Sequence, residues 1–354
     1  MKILLFCENK YAIDILNPIQ EYVTDNHLPH EVLWYIHEKK IDAFAYADKV
    51  RWTKSIQEAY DFSPEAIFVP GNIVPYYLPG VKIQVFHGYA AEKKDHWIIR
   101  RYFDTYFTQG PYFTSHFKAL AQKYGDFEVV ETGWPKQDWI KKSLHRYDDE
   151  KQALLKKSGK QTIILYAPTF SPKLTSLPLP DMKEQLERLA HERNALVLMK
   201  FHPLTRQEWA DEYKAWAEGK DDIIYIDKGE NVTKYQLMSD VLISDTSSTI
   251  YEFLLLSRPV ITISTLSKEI YWEDIASPGT LLQAYDHALT DPEAIARRQW
   301  IVDNYDPHLD GHVCERMLNA AADYIHRHGV PTKRRLNLWR KYTSIKTFGK
   351  VRKR

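Results

Sequence analysis

The sequence predicts an α/β fold of two Rossmann-like domains. Three observations carry that expectation. Apolar runs of strand length recur along the chain, longer amphipathic segments separate them, and a stretch rich in Lys, Asp and Glu at 141–160 divides the series in two. The strand candidates are 2–7, 31–36, 66–69, 82–86, 104–108 and 128–131, then 161–167, 195–201, 223–226, 240–244 and 259–263. Segments such as 181–194 and 205–218 read as helices between them. Two such halves facing one another would leave a cleft where the carboxyl ends of their sheets converge. The expected division is 1–150, 151–332 and a tail, 333–354.

The opening apolar run from Met1 to Phe6 reads as a first strand. It gives way to Glu8-Asn9-Lys10 with no small-residue cleavage site, unlike a secretory signal. At 354 residues the chain is long enough for two ordinary domains, and 44% hydrophobic against 27% charged residues is a globular balance. Later apolar runs, such as Ile163 to Ala167, are far too short to span a bilayer. Cys7 and Cys314 are the only cysteines, which leaves no disulfide framework or zinc spacing and points to the cytosol. Neither the Gly-rich dinucleotide fingerprint nor a P-loop occurs, so neither type of nucleotide site is expected.

Charge is unevenly spread. The whole chain carries 48 basic and 47 acidic side chains, yet ten of the basic ones and no acid fall between Lys333 and Arg354. Residues 1–332 are left with 38 basic against 47 acidic groups, a formal −9. A mildly acidic body argues against nucleic acid as a partner and gives the tail a separate role.

Three segments have the residue types for chemistry on a phosphate. Val85-Phe86-His87-Gly88 ends a strand candidate, where His87 would stand at the rim of the sheet and Gly88 would permit a sharp turn. A near-neutral imidazole suits removal of a proton from an attacking hydroxyl, and a strand-end histidine bonded to a loop is the plain alternative. Leu198-Met199-Lys200-Phe201-His202-Pro203 holds His202 extended ahead of a proline, and residues two apart share a face. Lys200 and His202 together suit a diphosphate whose leaving group gains charge, against the alternative of a solvated Lys beside a structural His.

The third segment runs from Asp240 through Ser244-Asp245-Thr246-Ser247-Ser248-Thr249 to Glu252. One hydroxyl would cap the following helix, but four in succession exceed what a cap needs. Free N–H groups and hydroxyls at a helix start can cradle phosphate. Leu165-Tyr166-Ala167-Pro168-Thr169 ends the first strand of the second half, where a base or ribose could lie. Asp310-Gly311 and Arg316 come late, and an Arg there could pair with a phosphate bidentately, or simply belong to a turn.

In this order the segments resemble the CDP-glycerol glycerophosphotransferase family of teichoic-acid-type polyol-phosphate transferases. The likeness is carried by His87-Gly88, Glu131-Thr132-Gly133-Trp134-Pro135, Leu165 to Thr169 and His202-Pro203. It continues through Ser239 to Ser248, Arg258-Pro259-Val260-Ile261, and Asp310-Gly311 with Arg316. Two stretches depart from the family pattern: Phe86 before the histidine with Tyr89-Ala90-Ala91-Glu92 after it, and Phe170-Ser171-Pro172-Lys173 after Thr169.

The resemblance implies a GT-B architecture, with 1–150 the acceptor domain and 151–332 the CDP-donor domain. It implies catalytic roles for His87, activating the acceptor hydroxyl, and for His202, beside the donor diphosphate. Lys200, Asp245, Thr246, Ser247, Ser248, Ala167, Pro168, Thr169, Glu252 and Arg316 become donor-binding candidates. The expected activity moves glycerol phosphate, ribitol phosphate or a related unit from a CDP donor to a glycan or lipid-linked acceptor, releasing CMP. No metal site or cofactor is called for, and a donor-borne Mg²⁺ stays compatible with the pattern. A GT-B glycosyltransferase using a nucleotide sugar and a non-catalytic envelope-associated binding protein remain as alternatives.

The tail supplies one further expectation. Leu336, Trp339, Tyr342 and Ile345 recur every three residues among ten cations, which would make an amphipathic helix for an anionic membrane surface. That would place the protein peripherally on the inner face of the cytoplasmic membrane. The alternative is a terminal helix that packs its stripe back on the N-terminal domain.

Overall fold

The computed structural model describes residues 1–41, 44–89, 91, 94–169, 179–334 and 336–352, with the side chains of 179–181 excepted. The departures at Ala90, Glu92 and 170–173 therefore lie outside the described residues. The chain forms two compact units: Met1–Gly88, Lys93–Lys142 and Tyr305–Arg354 make the first, and Tyr89–Glu92 with Ser143–Asn304 the second.

The first unit holds a seven-stranded sheet. Its strands are β1 (Lys2–Cys7), β2 (Glu31–Ile36), β3 (Trp52–Thr53), β4 (Ala66–Val69), β5 (Val81–Gln84), β6 (Thr105–Thr108) and β7 (Glu128–Glu131). They run parallel in the order β3-β2-β1-β4-β5-β6-β7. The second unit holds β8 (Thr162–Tyr166), β9 (Ala195–Lys200), β10 (Ile223–Ile226), β11 (Val241–Ser244), β12 (Val260–Ile263) and β13 (Glu273–Ile275), parallel in the order β10-β9-β8-β11-β12-β13. Both orders reverse beside their first strand, the doubly wound pattern whose switch point opens a crevice at the strands' carboxyl ends. The central strands are apolar throughout because helices cover both faces, and Leu4, Phe6, Ile67 and Val69 in one unit, or Ile164, Val197, Ile243 and Ile261 in the other, are buried core.

The chain passes from the first unit to the second inside the charged stretch at 141–160, between Lys142 and Ser143. The stretch forms the end of helix Lys136–Ser143 and then helix Asp148–Ser158, with Asp148, Asp149 and Glu150 in the first turn and Lys156 and Lys157 in the last. That order of charge complements the helix dipole, and Gly159 at φ 69° ends the helix in the left-handed region.

The second unit ends at Asn304, short of the expected 332. The chain returns to the first unit at Tyr305, and helix Val313–His328 buries Val313, Cys314, Met317, Leu318 and Ala321 there. Asp138 receives the first free N–H groups of that helix, from Val313 at 2.9 Å and Cys314 at 2.7 Å. Cys7 and Cys314 are both unpaired and buried.

The tail folds onto the first unit as helix Leu338–Phe348, capped by Asn337, whose side chain accepts from Arg340 N–H at 2.9 Å. Leu336 and Phe348 join the core, where the Phe348 ring lies 5.3 Å from that of Phe6. The single apolar stripe does not survive: Leu336 is buried, while Trp339 and Tyr342 are 72% and 55% exposed. A step of three residues falls about 60° short of a full turn of a 3.6-residue helix, so a three-residue repeat winds around to the opposite face.

Candidate functional site

In the second unit the switch point lies between β8 and β11, and the predicted donor residues other than Arg316 belong to the segments that follow β8 and β11 and to the end of neighbouring β9. Ala167, Pro168 and Thr169 leave β8 beside Asp245, which leaves β11. Ala167 N–H donates to the Ile243 carbonyl at 2.9 Å, and Ser244 Oγ donates back to the Ala167 carbonyl at 2.7 Å. Asp245 Oδ1 then accepts from Thr169 N–H at 2.9 Å and from Thr246 N–H at 2.6 Å. Asp245 is therefore a clamp that joins the two loops. Burial pushes its carboxyl upward against the pull of those N–H groups, and Oδ2 has no hydrogen-bond partner among the described residues.

The hydroxyl cluster divides its work. Thr246 Oγ1 accepts from Leu266 N–H at 2.9 Å, tying down the loop after β12. Ser247 Oγ bonds Thr249 Oγ1 and accepts from Thr249 N–H at 3.3 Å, closing the turn into the six-residue helix Thr249–Leu254. Ser248 is the exposed member and makes no side-chain capping bond. Glu252 lies half-buried on the first turn of the helix.

His202 stands exposed just beyond β9, and its Nδ1 accepts from Leu204 N–H at 3.1 Å. In the neutral ring the proton then sits on Nε2, which is a donor. Partial desolvation of the ring at the protein surface, followed by the charge of Lys200, lowers the pKa of this imidazole and favours that neutral form. Lys200 itself does not project as a solvated cation beside it. Its side chain is buried, and Nζ donates to the Phe201 carbonyl at 3.0 Å and the Lys228 carbonyl at 2.8 Å. The physical reason is that β9 ends at Lys200 with both faces covered, so sharing a face with His202 brings no exposure. Burial lowers the Lys200 pKa as well.

In the first unit His87 follows β5. Nδ1–H donates to the Pro70 carbonyl at 3.1 Å, so the neutral ring carries its lone pair on Nε2. His87 thus has the tautomer of a base, and His202 that of a donor. Phe86, immediately before His87, is at φ 60°, a left-handed conformation costly for a bulky residue. Its ring stacks on His96 at 5.0 Å, Trp134 Nε1 donates to its carbonyl at 3.4 Å, and Gln109 Nε2 reaches the Gly88 carbonyl at 2.9 Å. These contacts hold the turn that presents His87.

Arg316 belongs to the first unit, apart from the other donor candidates. Nη1 and Nη2 pair with Asp310 at 2.7 and 3.2 Å, and Nε donates to the Thr132 carbonyl at 2.9 Å. Asp310 is the carboxylate partner of this guanidinium in the structure. The Glu131 to Pro135 segment is likewise a docking point for the returning chain. Trp134 N–H donates to Asp306 at 3.0 Å, and a Cβ on Gly133, at φ 87°, would stand 2.7 Å from His308.

Sequence reasoning passed over Glu8 and Tyr11, which lie at the first unit's own switch point between β1 and β4. The signal was available: an acid directly after the first strand of a Rossmann-like half stands at the crevice. Among the described residues no group of three or more His, Cys, Asp or Glu could hold a metal ion.

Two doubly wound parallel units define a GT-B-type fold. Residues 79–322 match the family CDP-glycerol:poly(glycerophosphate) glycerophosphotransferase, and the chain belongs to it. It is 29% identical over 213 residues to the teichoic acid ribitol-phosphate polymerase TarK of Staphylococcus aureus, a match covering 55% of this chain and 39% of that protein. The chain thus spans well under two thirds of that relative. In three dimensions it resembles the wall teichoic acid polymerase TagF, with a TM-score of 0.66 and 17% identity over 92% of this chain and 89% of the other. The UDP-GlcNAc 2-epimerase of Neisseria meningitidis shares the fold at a TM-score of 0.63 and 13% identity, covering 91% of this chain and all of that one.

Proposed function

We propose that this protein transfers a polyol phosphate, glycerol phosphate first among the choices, from a CDP-activated donor to a hydroxyl of a cell-envelope glycan. The carrying observation is the second unit's switch point, where Ala167–Thr169, the Asp245 clamp and Ser248 adjoin the end of β9 and its His202. In the proposed step an acceptor oxygen attacks the donor's β-phosphorus. A new P–O bond forms, the bond to the bridging diphosphate oxygen breaks, and CMP leaves. The acceptor proton passes to Nε2 of His87, and Nε2–H of His202 hydrogen-bonds the phosphate that gains charge. Lys200 supports this by fastening the loop that carries His202. The step assigns no metal to the protein, and assays with EDTA and with Mg²⁺ decide whether the donor brings one.

The same reading includes a peripheral site at the inner face of the cytoplasmic membrane. Among the described residues no helix is long and apolar enough to cross a bilayer. Leu338, Trp339 and Tyr342 are exposed on the tail helix, and Lys346, Lys350 and Arg352 are exposed on the same tail. Anionic lipid would attract such cations by roughly 1 kcal/mol each.

The test is a mass-spectrometric screen of CDP-glycerol and CDP-ribitol against lipid-linked and capsular acceptors. CMP release with a matching gain of polyol phosphate on the acceptor supports the proposal. Turnover of UDP-sugars alone, or ligand binding without turnover, overturns it.

A further inference from the structure

At the first unit's switch point a carboxylate is kept where it is costly to keep one. Glu8 follows β1 directly and is 9% exposed, yet no ion pair reaches it among the described residues. Its partners are neutral: Tyr11 O–H donates to Oε1 at 3.4 Å, and the Asn72 N–H also bonds it. Lys40 acts on it only through space, and a buried carboxylate without a direct ion pair is an expense that a purely structural position does not explain.

The neighbouring strand makes room for it. A Cβ on Gly71 would stand 1.7 Å from Glu8 Oε1, so the residue after Pro70 must be glycine for the carboxylate to lie there. Gly71 does not have a left-handed φ, so space is what demands glycine. Pro70, in turn, is the residue whose carbonyl holds His87.

Tyr11 connects the two groups. Its ring lies 5.3 Å from that of His87 at 37°, its hydroxyl reaches Glu8, and Asn9 Nδ2 donates to that hydroxyl at 3.2 Å. The Tyr11 side is 41% exposed. A partly exposed aromatic ring, a carboxylate and an imidazole therefore lie together.

We infer that Glu8 and Tyr11 form the seat of the acceptor, and that the seat takes a polyol end bearing adjacent hydroxyls. The inference rests on the transfer reaction proposed above and adds the residues that hold its nucleophile. The two oxygens of a carboxylate can accept from neighbouring hydroxyls of a diol, and an aromatic face packs against the carbon-bound hydrogens of the same chain. A hydroxyl held there lies beside the His87 ring. The short reach from seat to base is a positioning effect.

The test uses the full chain with two soluble acceptors, one ending in a vicinal diol and one with the adjacent hydroxyl replaced by hydrogen. Acceptor KM, donor KM and calorimetric binding of the diol acceptor are measured for the parent, Glu8→Gln, Gly71→Ala and Tyr11→Ala. Thermal melts select the variants that fold. We expect acceptor KM to rise at least tenfold in the folded variants while donor KM stays within threefold, and the parent to favour the diol acceptor. If the parent transfers but the folded variants keep its acceptor KM within twofold, the seat is elsewhere and the transfer reading stands. If the parent binds the diol acceptor, loses it in Glu8→Gln and transfers nothing, the seat stands and the transfer reading falls. A parent that neither binds nor transfers to it overturns both.

Discussion

Arg334 donates from Nε to Oδ1 of Asp104 at 2.8 Å and from Nη2 to Oδ2 at 2.5 Å, a two-pronged ion pair between residues 230 positions apart. Both side chains are nearly buried, at 10% and 7% exposure. Asp104 Oδ2 also accepts the Lys82 N–H at 2.8 Å, and Arg334 Nη2 reaches the Gly80 carbonyl at 2.8 Å. The pair therefore fastens the tail to the edge of β5, and the cations of 333–354 are not all there for an outside partner.

Removing one partner leaves the other buried and uncompensated. Arg334→Ala should lower stability by about 3–5 kcal/mol. Urea denaturation measures this, and a loss below about 1 kcal/mol would show that water reaches Asp104.

His87→Ala should abolish transfer while leaving CDP binding nearly intact, because His87 belongs to the first unit and the proposed donor residues other than Arg316 to the second. Loss of a general base typically costs about 10²–10⁴ in rate. A variant within threefold of the parent rate would remove His87 from the step.

His202→Ala and Ser248→Ala should instead weaken CDP binding. Each removes a hydrogen bond worth roughly 1 kcal/mol, or about fivefold in affinity, at a site where other groups still hold the ligand. Calorimetry with CDP reads this directly, and unchanged affinity in both variants would move the donor site.

Glu8 supplies a pH dependence of known sign. Burial raises its pKa above that of an ordinary glutamate, while Lys40, the Tyr11 hydroxyl and the Asn72 N–H act in the opposite direction. A group whose pKa rises on folding contributes stability that is full below the unfolded value and is lost as pH climbs through the folded one. Glu8→Gln keeps the shape without the charge. Its melting temperature should exceed the parent's at about pH 7.5 and converge with it below about pH 4.5. A difference that is constant across this range would mean that the carboxylate is not penalised.

Trp339→Ala with Tyr342→Ala should abolish sedimentation with anionic vesicles and leave the melting temperature unchanged, since both side chains are exposed. Binding by the parent should fade as salt rises. A parent that ignores such vesicles at low salt would confine the helix to a structural role.

Much of this organisation could be read from the sequence because parallel strands are buried on both faces and appear as plain apolar runs. The strands that were missed are edge pieces with little to bury: Trp52–Thr53 is two residues long, and Glu273–Ile275 has a single apolar side chain. The clustering of Ala167–Thr169 with Asp245 was also legible, since doubly wound topology puts the first and fourth strands side by side. Lys200 was not, because alternation along a strand says which face a side chain takes and nothing about what covers that face. Nor was the return of Tyr305–Arg354, whose anchors Asp138, Asp104 and Glu128 lie far back in the chain and carry no local mark.

That return has a consequence for how the protein is made. A ribosome completes the whole of 143–304 before it reaches the residues that close the first unit. At about 5–20 residues per second that interval is on the order of tens of seconds. Throughout it Asp104 waits without Arg334, and the Trp134 N–H waits without Asp306. The unit begun first is therefore finished last. A nascent chain stalled before Tyr305 would carry one complete unit and one that still exposes the buried seats of its missing segment, which makes the first unit the natural place for a chaperone to hold.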